Sequence, residues 1–355
     1  MKHFNKLKQT LQVHFAWEER RVKFLTMFVI GVLKMRTVSL SHLAIVLNPL
    51  VRQESNYRRI QNFFQKYSFD VDSLGRFLLS ILRSGEKIIL TLDRTNWKFG
   101  KQDINVLMAA IAFGDCSLPL CWSLLPTCGN SNYSQRRQIL ERAISLVGKE
   151  RIKCLVADRE FGSGKMFKYL KKEGINFHIR IKRTSAIKHC MSTVSSLEEV
   201  FEKIRSRRYV ILPKKKLIYD EEVYVGGRRS KDNDYLILAS SDNPEEAESC
   251  YKKRWTIETM FGNMKSRGFD FEKTHMSDPE KISKLIFLIG IALIWSYLTG
   301  IWMKESLRIF IKTKTHGRKE KSIFRVGLDF LRQILLAENR LNFEFDNVLR
   351  VLSCT

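Results

Sequence analysis

Apolar residues recur with a helical period through the N-terminal quarter of the chain. Residues 21–35 carry an apolar stripe on one face, which predicts an amphipathic helix. A short helix is predicted at residues 39–46 and a longer, polar-faced helix at residues 55–67, and Asn48 and Pro49 predict a turn between them. The order short helix, turn, polar-faced helix is that of a helix-turn-helix motif.

Short apolar runs replace the helical period after residue 86. Strands and helices are predicted in the order strand, strand, strand, helix, strand, helix, strand, at residues 87–92, 104–113, 118–125, 134–147, 151–157, 164–172 and 176–182. This order predicts a mixed α/β sheet of the ribonuclease-H-like type. Its first and fourth strands are neighbours. Asp93 and Asp158, which end these strands, are therefore predicted to lie close together at the carboxyl edge of the sheet.

The remaining elements complete a predicted domain organisation. A helix is predicted after residue 243, with Asn243 as its cap, Pro244 in its first turn and Gly268 at its end. The chain then divides into a helical domain at 1–83, an α/β core at 84–182 and 243–303, a β-rich insertion at 183–242, and a basic connector with C-terminal helices at 304–355.

One segment is apolar enough to raise the question of a membrane. Residues 285–303 are almost continuously apolar, although they include Gly290, Ser296 and Gly300. A buried core helix, broken near Gly300, is the preferred interpretation, and a transmembrane helix is the alternative. The start of the chain lacks the apolar stretch of a signal peptide. We therefore expect no membrane partner.

The chain is strongly basic. Its 355 residues include 62 Lys and Arg against 37 Asp and Glu, a net charge of +25. Such a charge indicates a polyanionic partner, most simply nucleic acid, although a soluble enzyme with a basic surface would show the same excess. Residues 1–83 carry a net charge of +9. Arg58 and Arg59, on the polar-faced helix, are candidate DNA contacts.

Cysteine and tryptophan carry little functional signal. The seven cysteines are scattered without the spacing of a zinc-binding motif, and most lie in apolar runs, so buried thiols in a reducing cytoplasm are expected. Trp97 and Trp255 are expected to be packing residues rather than platforms for base stacking.

The most informative pattern lies in the helix predicted after residue 243. At about 100° per residue, Tyr251, Arg254, Glu258 and Lys265 fall within a stripe about 60° wide. In a core helix this stripe would be apolar. Here it carries a phenol, a guanidinium, a carboxylate and an ammonium group. One acid flanked by two cations suits a site that holds a metal ion and a phosphate together.

Three carboxylates brought together would form an oxygen-rich cage. Asp93, Asp158 and Glu258 are predicted to hold two Mg²⁺ ions, with Mn²⁺ as a substitute, for phosphoryl transfer. Arg254 could grip a phosphate with its planar fork, and Lys265 could bind the next phosphate. Taken singly, a strand-end aspartate is usually a turn residue, and an Arg–Glu pair four residues apart is usually a surface pair. The combination on a basic chain indicates catalysis on nucleic acid.

These motifs together resemble a known family. Residues 92–97 (Leu-Asp-Arg-Thr-Asn-Trp), residues 157–162 (Ala-Asp-Arg-Glu-Phe-Gly) and the spacing of the four stripe residues are similar to those of DDE transposases of bacterial insertion sequences, in the group marked by the YREK signature. Residues 128–132 (Cys-Gly-Asn-Ser-Asn) resemble the segment after the third strand in such proteins. The resemblance covers about residues 87–280.

The resemblance implies a ribonuclease-H-like core in which the three carboxylates are the metal-binding catalytic triad. It implies that Tyr251, Arg254 and Lys265 contact transposon-end DNA. The implied enzyme nicks DNA at an inverted repeat and transfers the freed 3′-hydroxyl to another strand, as a homodimer that synapses two ends at the bacterial nucleoid. Only 100 residues separate Asp158 from Glu258, so no base-flipping residue is assigned to the insertion.

Two other functions remain open at this point. A nuclease on the same core would cut DNA without joining an end to a target. A non-catalytic regulator derived from a transposase would occupy element ends, and the presence of all three acidic residues counts against it.

Overall fold

A mixed sheet with helices packed against it forms the protein, seen here in a computed structural model. The structure describes residues 2–83, 85–126, 128–188, 194–204, 208–229, 234–315, 317, 319–337 and 341–353. Parts of the predicted insertion, at residues 189–193, 205–207 and 230–233, lie outside the described residues.

Helices make up the N-terminal region. They are α1 Lys2–His14, α2 Glu19–Met35, α3 Leu40–Val46, α4 Gln53–Lys66 and α5 Ser73–Ile81. α3 and α4 occupy the predicted helix-turn-helix positions. Asn56 of α4 is buried, and its side chain donates hydrogen bonds to the carbonyl oxygens of Ala44 (3.0 Å) and Asn48 (2.8 Å). These bonds fix the turn between the two helices because a buried amide must find its partners there.

One sheet organises the core. Its first strands are β1 Ile88–Phe99, β2 Gln102–Phe113, β3 Cys116–Leu125, β4 Ile152–Ala157 and β5 Phe177–Arg180, with α6 Tyr133–Val147 before β4 and α7 Gly164–Lys172 before β5. The spatial order is β3-β2-β1-β4-β5. β4 is parallel to β1 and to β5, whereas β1, β2 and β3 form an antiparallel meander. The predicted ribonuclease-H-like mixed sheet is confirmed.

The insertion extends this sheet. Its elements are β6 Ala186–Lys188, β7 Val194–Ser196, α8 Leu197–Ile204, β8 Val210–Ile211, β9 Lys216–Ile218, β10 Glu221–Arg229 and β11 Tyr235–Ser240. β11 pairs antiparallel with β5 and with β10. The insertion is therefore β-rich, as predicted, and its last strand continues the core sheet.

The single helix predicted after residue 243 is wrong in its boundaries. The structure has two helices, α9 Ala247–Lys252 and α10 Trp255–Met264. Between them, the amides of Lys253 and Arg254 donate to carbonyl oxygens three residues earlier, which is the tighter 3₁₀ pattern. Asn243 has φ 45° and does not cap α9.

A long apolar helix forms the centre of the C-terminal half. α11 Pro279–Ser306 is followed by α12 Ile323–Leu336 and α13 Asn342–Arg350. The predicted break near Gly300 is wrong, because α11 continues past it. A Cβ on Gly300 would overlap the carbonyl oxygen of Ile323, so glycine lets α12 cross closely. Among the described residues, α11 is the one unbroken helix long and apolar enough to cross a membrane, and 83% of its most apolar window is buried in the protein.

Candidate active site

Parallel pairing of β1 and β4 brings two aspartates together. Leu92 pairs with Ala157 in this ladder, so Asp93 and Asp158 are the next residues along the two strands. β4 ends there, and the Asp158 carboxylate accepts a 2.8 Å hydrogen bond from the Arg159 amide at the start of a 3₁₀ turn. The two carboxylates therefore lie side by side at the carboxyl end of β4.

Asp93 does not end its strand, contrary to the prediction. β1 continues to Phe99, and Asp93 pairs with Met108 of β2. The residues after Asp93 are polar, but they still form a strand. Their backbone groups pair with β2, which continues along β1 beyond the end of β4. Asp93 is consequently held by a regular ladder on one side and is open on the other.

α9 and α10 lie across the two aspartates and add the third carboxylate. The Tyr251 hydroxyl donates to Asp158 Oδ1 at 3.3 Å. The Arg254 guanidinium donates to Asp93 Oδ2 at 3.3 Å and to Glu258 Oε1 at 2.6 Å. Tyr251 therefore contacts one carboxylate and Arg254 the other two, and the Arg254 guanidinium carbon lies 5.8 Å from the Tyr251 ring centre. These five side chains are called the carboxylate network below.

Burial makes Asp93 hard to ionise. Its side chain is 18% exposed, and burial raises the pKa of Asp93 to about 6. The negative charges of Asp158 and Glu258 act in the same direction, whereas the Arg94 amide and the Arg254 guanidinium oppose the shift. A divalent cation would relieve this concentration of negative charge. The donors are carboxylate oxygens, the set that Mg²⁺ and Mn²⁺ prefer, so the residues fit such ions.

The predicted DNA contacts occupy three different places. Tyr251 and Arg254 are each only 8% exposed and face the carboxylates. Lys265 lies beyond the end of α10, with its ammonium group 2.7 Å from Glu272 Oε1 and 3.4 Å from a carbonyl oxygen of β1. Arg58 and Arg59 are exposed on α4, and the structure does not bring them into the carboxylate network.

A second ion-pair network beside the carboxylates has no role in the sequence analysis. Arg94 donates to Glu160 Oε1 at 2.7 Å and to Asn130 at 3.1 Å, and the Ser131 amide and hydroxyl donate to the same carboxylate. Burial by itself raises the pKa of Glu160, but the hydrogen bonds from Arg94 and Ser131 outweigh it and lower the pKa. The one sequence feature that could have pointed to this network is that Arg94 directly follows the candidate metal ligand Asp93 in the chain.

Trp255 corrects a second expectation. Trp97 is buried as predicted, but Trp255 is 62% exposed at the start of α10. The Arg254 guanidinium carbon lies 5.5 Å from the Trp255 ring centre. Trp255 is therefore not a packing residue, and its exposed ring lies beside the carboxylate network.

Asp93 on a strand, Asp158 directly after a neighbouring strand and Glu258 on a helix beside them form an arrangement that suits metal-assisted phosphoryl transfer. The chain belongs to the family of transposase DDE domains, whose model matches residues 84–295. It is a DNA transposase by class, and the predicted resemblance to DDE transposases is confirmed.

The chain was also compared with solved structures and with curated protein sequences. The chain is similar to the piggyBac transposase in the structure of its synaptic complex with hairpin DNA, at 13% identity and a TM-score of 0.43. That similarity covers 99% of this chain and 83% of the other. No curated protein sequence matches the chain.

Proposed function

We propose that this transposase serves a bacterial insertion sequence of the YREK group and cuts and joins DNA at the inverted repeats of that element, with Mg²⁺ or Mn²⁺ as cofactor. One observation carries the proposal. Arg254 binds Asp93 and Glu258 while Tyr251 binds Asp158, so two neighbouring signature residues contact three carboxylates that are distant in the chain.

The chain's own groups have separate roles at this site. The three carboxylates would hold the metal ions, which would supply an activated oxygen nucleophile and neutralise the leaving oxygen. Arg254 is anchored between two of these carboxylates, so its guanidinium presents a fixed positive charge beside the scissile phosphate. Tyr251 holds Asp158 in one orientation through its hydroxyl group. Lys265 and Trp255 would contact the DNA on either side of the scissile phosphate.

The reaction exchanges one phosphorus–oxygen bond for another in each step. In the first step, a water oxygen attacks the scissile phosphorus and the 3′-oxygen leaves as a hydroxyl. In the second step, that 3′-hydroxyl attacks a phosphorus of the opposite strand or of target DNA, and the 3′-oxygen of the attacked strand leaves. Two element ends must be held together, and a homodimer at the bacterial nucleoid would supply one site for each end.

The helical N-terminal region is the proposed reader of the inverted repeat. Arg58 and Arg59 line a groove of about 560 Å³ together with Arg20 and Lys23. α4 stands in the position of the recognition helix of a helix-turn-helix. The four cations would bind the phosphate backbone, while polar side chains of α4 face the base edges.

Cleavage of a plasmid that carries the terminal repeats tests the triad. Asp93→Asn, Asp158→Asn and Glu258→Gln should each reduce Mg²⁺-dependent cleavage by roughly 10³-fold or more while leaving repeat binding nearly unchanged. Asp103→Asn is the matched control, because Asp103 pairs with Lys98 on the β1–β2 hairpin and lies outside the network. Full cleavage by any one of the three variants would refute the assignment.

A strand-transfer assay separates the proposed function from a plain nuclease. A transposase joins the labelled 3′-end of a repeat to a supercoiled target, whereas a nuclease yields only cut DNA. A regulator without catalysis would bind the repeat and leave it intact. Inverted repeats on both sides of the reading frame would identify the substrate.

A further inference from the structure

Three buried side chains behind the carboxylate network form a second cluster of metal-ligand type. Cys154 lies on β4, His178 on β5 and Cys250 on α9, and they are 1%, 2% and 3% exposed. One donor atom from each residue lies within 4.8 Å of the other two. The mechanism proposed above uses none of them.

The cluster is arranged as a ligand set and not as three unrelated core residues. The two thiol sulfur atoms and one imidazole nitrogen lie within 4.8 Å of one another although they come from two strands and one helix. His178 Nδ1 lies 2.9 Å from Ser240 Oγ. A hydrogen bond from one imidazole nitrogen to a neighbouring oxygen orients the ring and leaves the other nitrogen, Nε2, for a metal.

We propose that Cys154, His178 and Cys250 bind one Zn²⁺ ion. Thiolate and imidazole donors favour zinc over Mg²⁺, so this site would not compete for the ions of the carboxylate network. Donor atoms around tetrahedral zinc lie about 3.6–3.8 Å apart, given bonds of about 2.3 Å to sulfur and 2.0–2.1 Å to nitrogen. Since the donor atoms lie within 4.8 Å of one another, each distance needs to shorten by no more than about 1.2 Å. Three protein donors leave one position for water or a further side chain.

Zinc explains the imidazole better than a disulfide does. The two thiols are also near enough to be oxidised to a disulfide, but such a bond would make no use of His178. The three residues come from two strands and one helix, so an ion would tie α9 to the sheet. Cys250 directly precedes Tyr251 on α9, and Cys154 of β4 lies four residues before Asp158, so the ion would brace the helix that carries Tyr251.

Cobalt titration of the reduced, chelator-treated full chain tests the site. One equivalent of Co²⁺ should give the charge-transfer absorption of a cobalt–thiolate complex, and Zn²⁺ should displace it because zinc binds more tightly. Cys154→Ser and Cys250→Ser should each abolish the absorption. Cys121→Ser, a buried cysteine outside the cluster, and Asp93→Asn should both retain it. Absorption that survives in both cluster variants would overturn the proposal.

X-ray absorption at the zinc edge needs no variant and decides the matter if the serine proteins fail to fold. The expected shell for the wild-type protein has two sulfur atoms at about 2.3 Å and one imidazole nitrogen at about 2.0–2.1 Å. A shell of oxygen and nitrogen alone would overturn the proposal. So would the loss of two titratable thiols in air without metal uptake, which would indicate a Cys154–Cys250 disulfide.

Discussion

Arg254 donates a 2.6 Å hydrogen bond to Glu258 across one turn of helix. The same guanidinium reaches Asp93 at 3.3 Å. Two of the three proposed metal ligands are therefore already partly neutralised by one side chain. Metal ions entering the network must compete with this positive charge for the same oxygen atoms.

Arg254→Ala is expected to bind Mn²⁺ more tightly than the wild type, by about tenfold. The reason is that removal of a cation in contact with two ligands relieves repulsion worth at least about 1.4 kcal/mol in a partly buried site. Cleavage of the terminal repeat should nevertheless fall far more than DNA affinity. Calorimetric titration of the DNA-free protein measures the metal affinity. Arg254→Lys keeps the charge and serves as control, and weaker Mn²⁺ binding by Arg254→Ala would contradict the competition.

The raised pKa of Asp93 predicts a metal-free protein that loses stability as the pH rises. Asp93 has a pKa of about 6 in the folded chain against 3.8 for an ordinary aspartate, so the folded state holds its proton more tightly. This stabilising contribution is complete below about pH 4 and is lost as the pH passes 6. Asp93→Asn removes it, so the variant should gain on the order of 3 kcal/mol relative to the wild type across this window.

Urea unfolding in the presence of a chelator, at a series of pH values, measures this difference. Saturating Mg²⁺ should reverse the difference, so that the wild type has the larger free energy of unfolding at neutral pH. The reason is that only the wild type keeps the full set of metal ligands. If the difference in free energy of unfolding between the two proteins does not vary with pH, the pKa of Asp93 is not raised in the folded protein.

The Arg94–Glu160 pair should behave as a buried ion pair. Both side chains are about 15% exposed, so Glu160→Leu, which leaves Arg94 without its charged partner, is expected to cost about 3–5 kcal/mol. The double variant with Arg94→Met should cost less than the sum of the two single variants. Because the pKa of Glu160 is lowered in the fold, the contribution of Glu160 should be present above the ordinary glutamate pKa and should disappear as the pH falls through the lowered value.

Chemical unfolding of the four proteins of this cycle gives the coupling energy. Glu141→Gln is the matched control, since Glu141 and Arg137 form an exposed pair on α6 whose loss should change stability by under about 1 kcal/mol. An equally small change in stability for Glu160→Leu would show that the Arg94–Glu160 pair does not stabilise the fold around the carboxylates.

Helical periodicity puts Tyr251, Arg254 and Glu258 on one face, and the structure brings these three side chains to the carboxylates although the helix itself is broken. Lys253 and Arg254 have φ and ψ angles of −69° and −18°, and −54° and −37°, which are close to helical values. The chain therefore keeps its direction across the break, and Tyr251, Arg254 and Glu258 still face one side. Lys265 has ψ −138° and ends α10, and its side chain pairs with Glu272 instead of the carboxylates. Capping signals alone could not reveal the 3₁₀ hydrogen bonds.

Strand patterns placed the two aspartates but missed what lies around them. Asp93 is predicted to end its strand because it follows the apolar run at residues 88–92, and only pairing with β2 reveals the longer strand. The cluster of Cys154, His178 and Cys250 has no regular spacing in sequence, because two strands and a helix bring it together. Periodicity detects contacts within one element, whereas these arise from the order of strands in the sheet.

Trp255→Ala is expected to weaken binding of the terminal repeat by about 1–3 kcal/mol, the range for stacking of one base on an aromatic side chain. The side chain is 62% exposed, so its removal should leave the fold intact. Trp255→Phe should retain most of the affinity. Fluorescence anisotropy with labelled repeat DNA measures the change. Phe343→Ala removes another exposed ring, on α13, and should have no effect.

Gly327→Ala is expected to destabilise the protein by about 1–3 kcal/mol or more. A Cβ at this position would overlap the Ser296 carbonyl oxygen and the Gly300 amide where α12 crosses α11, and overpacking against backbone cannot be relieved by a rotamer change. Gly31→Ala on α2 is the control. Its Cβ would meet Leu43 at an ordinary 3.4 Å, and the gain in helix propensity, up to about 1 kcal/mol, should leave the variant as stable as the wild type or more so. Thermal unfolding of both variants decides the point, because a stable Gly327→Ala protein would require α12 to lie farther from α11 than it does here.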